Sequence, residues 1–196
     1  MKKTITLFAI IFSLFSCSKS DDTPATVTYQ EENPLSGFLT STGFSQNATT
    51  FVNTGAEAFG YSFIPKVKGK IKAILVKLPS SDNNVVVKIW DKATGTAVYS
   101  TTINVATAGT EISTTIPDLE LTKNHEYVIS MGAENYLYRH TRADQNEVSY
   151  PVTSGNITIT GFNKTGYAYS LDVLPETNGG GYEFMGDINF KFQQTE

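Results

Sequence analysis

The chain holds 196 residues, with 15 basic and 19 acidic side chains, 2 histidines and a formal charge of −4. That acidic balance speaks against nucleic acid as a partner, since such binding depends on clustered lysine and arginine. The single cysteine excludes an intramolecular disulfide and any multi-cysteine metal site.

The first residues have the form of an export signal: Lys2 and Lys3, an apolar run from Ile5 to Phe15, then Ser16-Cys17. The run is too short to span a bilayer as a helix, which takes ~20 apolar residues. Leu14-Phe15-Ser16-Cys17 resembles the lipobox of bacterial lipoproteins, which implies cleavage after residue 16 and acylation of Cys17. Each buried methylene of an acyl chain contributes ~0.8 kcal/mol, so several chains together anchor firmly. The competing reading is an ordinary cleaved signal followed by an incidental cysteine. Residues 17–34 carry Lys19, Asp21, Asp22, Glu31 and Glu32 with little apolar material, so they are expected to form a solvated tether. The Lys19 and Asp21-Asp22 cluster is similar to the surface-export signal of lipoproteins from Bacteroidetes-type bacteria, with a generic acidic linker as the alternative. The expected location is the cell envelope, as an outer membrane lipoprotein whose leaflet the sequence leaves open.

Residues 35–196 suit a single domain, for which ~100–200 residues is usual. Residues 35–56, with Phe38, Phe44 and Phe51, fit either a first strand or a covering loop. From Ala56 onward apolar residues recur with period two, and no stretch longer than ten residues shows a helical face. Phe59, Tyr61 and Phe63 alternate with Gly60 and Ser62, and Pro65 ends the strand. Gly69 to Leu78 is apolar on both faces, which marks a central strand. Val85–Trp90 and Thr96–Ile103 flank Asp91-Lys92-Ala93-Thr94-Gly95, a tight hairpin in which Gly95 takes positive φ. Further strands are expected at 111–116, 125–131, 135–142, 157–162, 166–173 and 182–193. About nine strands between Gly, Asn, Pro and Thr turns predict an all-β fold, an antiparallel β-sandwich of jelly-roll or immunoglobulin-like type.

The string Phe59-Gly60-Tyr61-Ser62-Phe63, then Gly69-Lys70-Ile71-Lys72-Ala73-Ile74, Val87-Lys88-Ile89-Trp90-Asp91, Gly95, Leu119-Glu120-Leu121-Thr122 and Tyr127-Val128-Ile129-Ser130 resembles the bacterial secreted family called domain of unknown function 4082. The resemblance covers about residues 57–142. It departs at Gly109-Thr110-Glu111, where the family has Trp-Gln after the glycine, and after Ile74, where Val76 and Lys77 replace an aromatic. Members look like accessory modules on cell-surface and carbohydrate-associated proteins, which implies binding rather than catalysis.

No G-x-S-x-G elbow, Walker loop or dinucleotide fingerprint is present, so no cofactor is expected. Gly179-Gly180-Gly181 precedes a strand rather than a helix and reads as a flexible loop, without the helix N-terminus that cradles phosphate. His125 and His140 lack the spacing that puts two imidazoles on one metal, and His125 beside Asn124 reads as a turn residue. Glu57, Asp91, Glu134, Asp144, Glu147, Asp172, Glu183 and Asp187 offer carboxylates for a hydrolytic pair, but sequence does not choose among them.

The richest constellation is Tyr136-Leu137-Tyr138-Arg139-His140-Thr141-Arg142. Strand alternation puts Tyr136, Tyr138, His140 and Arg142 on one face, too polar for a core. Rings stack on the apolar face of a sugar while guanidinium, imidazole and amide groups bond its hydroxyls. These four, with Asn135 and further help from Trp90, Tyr167 or Tyr169, form the expected ligand surface, although Trp90 fits the core better. The competing arrangement packs the tyrosines under a loop and pairs Arg139 and Arg142 with Asp144 or Glu147. The expected function is therefore a lipid-anchored, non-catalytic envelope module that binds a glycan or other polar ligand. The alternative is an adhesion lipoprotein packed against an envelope partner protein.

Overall fold

A computed structural model describes residues 27–44, 48–140, 146–165 and 171–196. Cys17, Arg142, Asp144, Tyr167 and Tyr169 lie outside the described residues. No helix among the described residues is long and apolar enough to cross a membrane.

The described residues form an antiparallel β-sandwich of twelve strands, where about nine were expected, with one short helix. A four-stranded sheet has the order β1 (Glu31–Glu32), β12 (Asp187–Gln194), β3 (Gly69–Lys77), β6 (Glu111–Leu121). The larger sheet runs β10 (Thr177–Asn178), β9 (Ile157–Lys164), β2 (Ala48–Pro65), β7 (Tyr127–His140), β4 (Asp82–Asp91), β5 (Thr96–Val105). To it are added β8 (Val152–Ser154) on β9 and β11 (Glu183–Met185) on β7. The alternation read from sequence is what buries the core: Phe59, Tyr61, Phe63, Ile129 and Met131 of the large sheet, with Ile74, Val76, Phe190 and Phe192 of the small one, are all fully enclosed. Phe63 meets Phe190 at 4.7 Å between ring centroids. Each such side chain contributes roughly 1.5–3 kcal/mol by leaving water.

The segment 35–56, open between strand and loop, is neither alone. Pro34–Thr42 is a helix, α1, followed by the start of β2. Pro34 sits at its first position, Asn33 Oδ1 accepts from Ser36 N at 3.2 Å as N-cap, and Gly43 ends it in the left-handed region at φ 80°. Phe38 and Leu35 are buried, with Phe38 5.4 Å from Phe184 and 6.0 Å from Phe44. Tertiary burial thus holds a nine-residue helix that would be marginal alone. The fold also begins inside the segment read as tether. Glu31 and Glu32 pair with Gln193 and Phe192, and the Glu32 carboxylate accepts from Asn156 N at 2.7 Å and Asn156 Nδ2 at 2.6 Å.

The hairpin between β4 and β5 is as expected. Asp91 Oδ1 accepts from Ala93 N (2.9 Å) and Thr94 N (3.1 Å), and Gly95 takes φ 67°. Four expectations change. The strands placed at 125–131 and 135–142 are one strand, β7, because Ala133 stays paired with Glu57 where a break was read. Where a strand was expected over 166–173, the described residues Leu171–Val173 are turn and bend, and Leu171 lies so close over Gly132 that a Cβ there would sit 2.6 Å from Leu171 Cδ1. The strand expected over 182–193 is broken at Gly186, whose φ of 75° interrupts the extended run. Gly179 and Gly181 are not a free loop: a Cβ would meet the Phe162 ring at 1.8 Å at the first and Val148 O at 2.3 Å at the second.

Candidate functional site

The second half of β7 carries the sequence constellation, and strand alternation does set Tyr136, Tyr138 and His140 on one face. Across the ladder stand Phe51 opposite Tyr136 and Thr49 opposite Tyr138 on β2, and Glu183 opposite His140 on β11. Phe51 stacks on Tyr136 at 5.2 Å and lies 6.1 Å from Tyr138, which meets His140 edge-on at 4.3 Å.

Within this face the roles differ from expectation. Tyr136 is 1% exposed, held between Phe59 at 4.5 Å and Phe51, so it supports the face and cannot touch a ligand. The exposed ring is Phe51, at 36% accessibility, with Val52 beside it at 71%. Tyr138 is half-buried and His140 exposed. Asn135, one residue out of phase, belongs to a different place. It lines a hollow of about 470 Å³ with Asp82, Asn83, Asn84 and Glu134, and its Oδ1 is buried without a partner. Arg139 faces away from the rings and pairs with Asp187.

Beneath the rings lies an ionic cluster. Tyr138 Oη donates to Glu183 Oε2 at 2.5 Å, and Lys164 Nζ donates to Glu183 Oε1 at 2.9 Å. Burial pushes the Glu183 carboxyl up, but the Tyr138 hydroxyl, the Lys164 ammonium and His140 outweigh it and hold the group below its ordinary value. Burial, reinforced by the bond to Glu183, pushes the Tyr138 phenol up to about 12, so it stays a neutral donor. Glu57, 5% exposed, is shifted the opposite way: burial raises it, the Glu183 charge adds to that, and Lys164 only partly offsets them.

The remaining candidates are structural. His125 Nε2 pairs with Asp91 Oδ2 at 2.9 Å and packs edge-on against Tyr127 at 4.8 Å, a turn brace as read from sequence. Trp90 is 3% exposed and donates through Nε1 to Ser130 Oγ at 2.9 Å, which removes it from the ligand surface. Among the described residues no group of three or more His, Cys, Asp or Glu side chains is placed to hold a metal ion.

Phe51, Lys164 and Glu183 were not singled out by the sequence reading. Glu183 was one of eight equivalent carboxylates, Phe51 sat in an unassigned segment, and Lys164 gave no signal. Their convergence depends on strand register, which period-two patterning does not encode. With Tyr138 they make an exposed aromatic ring and a neutral phenol beside a fixed, ionised carboxylate, groups that stack on apolar ring faces and accept hydroxyl hydrogens. Comparison of the chain with protein-family models finds no match, and no curated protein matches it.

Proposed function

We propose that this protein is a binding module of the bacterial cell envelope, held to the outer membrane through acylated Cys17, that captures a carbohydrate on the ledge formed by Phe51, Tyr138 and His140. The observation that carries the reading is the Phe51 ring, exposed at a strand edge yet stacked on a buried tyrosine, with the Tyr138–Glu183–Lys164 cluster at its side. The ring is presented to solvent on a fixed aromatic support, an arrangement suited to stacking on the apolar face of a sugar. The polar neighbours fit hydroxyls better than an apolar surface. The resemblance to secreted accessory modules supports binding without catalysis.

Val52, also exposed beside Phe51, favours a second reading in which the edge packs against an envelope partner protein. A glycan array probed with the full chain and with Phe51→Ala and Tyr138→Ala variants separates the two. Specific binding that disappears in both variants supports the carbohydrate reading. Folded protein that binds no glycan moves the function to the partner protein.

A further inference from the structure

We propose a second ligand site on the outer face of the large sheet, a cleft that takes a single sugar ring or a small polyol. Its floor is low because the facing positions of β2 and β9 are Ser62 and Gly161, and a Cβ added at Gly161 would meet only Ser62 Oγ, at 3.5 Å. Leu174 and Pro175 wall one side, and Lys92 lines the cleft from the turn after β4. The cleft is open to solvent, with a volume of about 270 Å³. At ~30 Å³ per water-sized group, it holds one ring rather than a chain.

The polar lining is already organised. Glu126 Oε1 accepts from Lys92 Nζ at 2.8 Å and from Thr160 Oγ1 at 2.6 Å, and Thr160 lies 2.9 Å from Ser62 Oγ. Groups fixed before binding lose little entropy when a ligand arrives. Against this stands Asn163, 6% exposed, which lines the same cleft and whose buried Oδ1 has no hydrogen-bond partner. Leaving such an acceptor buried and unmatched is unfavourable. The other deeply buried asparagine among the described residues is not left in that state: Asn189, 2% exposed, accepts from Leu35 N and Tyr61 Oη and bonds Asn33. Four buried side-chain atoms among the described residues lack partners, and only that of Asn163 belongs to a residue more than nine-tenths buried.

A hydroxyl is the group that fits. It donates to the Asn163 oxygen and would equally accept from the amide nitrogen if the two were exchanged, and it can both donate to and accept from Ser62 and Thr160. Glu176 at the rim accepts from further hydroxyls, and the partly exposed Leu174 offers an apolar surface for a ring face. The cleft and the aromatic ledge use different residues, so either can be present without the other.

The test is an NMR titration of the full chain with free glucose, galactose, mannose, N-acetylglucosamine and glycerol, following the Asn163 side-chain amide and the Gly161 backbone amide. Wild type shows saturable shifts of both signals with at least one probe. Asn163→Ala weakens that binding about tenfold, the worth of one buried hydrogen bond, and Glu176→Ala, at an exposed position that leaves folding intact, weakens it as well. Phe51→Ala leaves it unchanged. Absence of saturable shifts with every probe, or affinity retained in the Glu176→Ala and Asn163→Ala variants, overturns the proposal.

Discussion

Arg139 grips both carboxylate oxygens of Asp187: Nε donates to Oδ1 at 2.8 Å and Nη2 to Oδ2 at 2.6 Å, while Nη1 donates to Phe44 O at 3.1 Å. The two residues are 8% and 7% exposed. One guanidinium thus ties the end of β7, the start of β12 in the other sheet, and the loop after α1. It also fixes the backbone between Tyr138 and His140, and so aims the ledge.

Removing one partner of such a pair strands a buried charge. Arg139→Ala is therefore expected to cost about 3–5 kcal/mol in urea unfolding, whereas a double Arg139→Met, Asp187→Leu variant recovers most of that loss. If the double variant is no more stable than the single one, the pair does more than satisfy its own charges.

Much of the architecture was legible because burial follows period two. The strands centred on Tyr61, Ile74 and Ile89, and the hairpin at Asp91–Gly95, stand where the alternation put them. The helix at Pro34–Thr42 was not, since its nine residues are too few for a helical period to emerge and its stability comes from Phe38 meeting Phe184, 146 positions away in sequence. Half of the site was legible for the same reason: Tyr138 and His140 lie two apart on one strand. The other half is register, which brings Phe51 and Glu183 alongside them and turns Tyr136 into support and Asn135 away.

Phe51 is expected to matter for binding far more than for folding. Its ring is partly in water, so Phe51→Ala should fall well below the roughly 3–5 kcal/mol of a core phenylalanine. Phe59→Ala, in the core beneath Tyr136, should reach that range. Thermal unfolding of the two variants side by side gives the comparison.

The two carboxyls near Lys164 predict opposite pH behaviour. Glu183 is held below its ordinary value of 4.5, so the stability it contributes is present above that pH and is lost as pH falls through the lower folded-state value. Glu183→Gln should be less stable than wild type at neutral pH and converge with it in acid. Glu57 is raised from 4.5, so its favourable contribution is full below that pH and is lost as pH rises through the folded-state value. Glu57→Gln should then stabilise the protein at neutral pH and make no difference at about pH 3, where the Glu57 carboxyl is protonated in the folded and the unfolded state alike. Urea midpoints measured across pH for the three proteins check both signs.

Gly60 allows β2 and β7 to lie in close register, because a Cβ at this position would sit 1.9 Å from Ile129 O, a backbone atom that cannot swing aside. Gly60→Ala is expected to destabilise by at least the ~1–3 kcal/mol typical of overpacking, and to expose apolar surface to a fluorescent dye before the main unfolding transition.

The central claim is that the Phe51–Tyr138 ledge holds a glycan, and affinity electrophoresis tests it most directly. The full chain, Phe51→Ala and Tyr138→Ala are run in native gels cast with soluble xylan, mannan, laminarin or pectin, beside gels without polysaccharide. The account predicts that at least one polysaccharide retards the wild type and that both variants, folded by circular dichroism, run as they do in its absence. Equal retardation of all three proteins, or none in any gel, would contradict it.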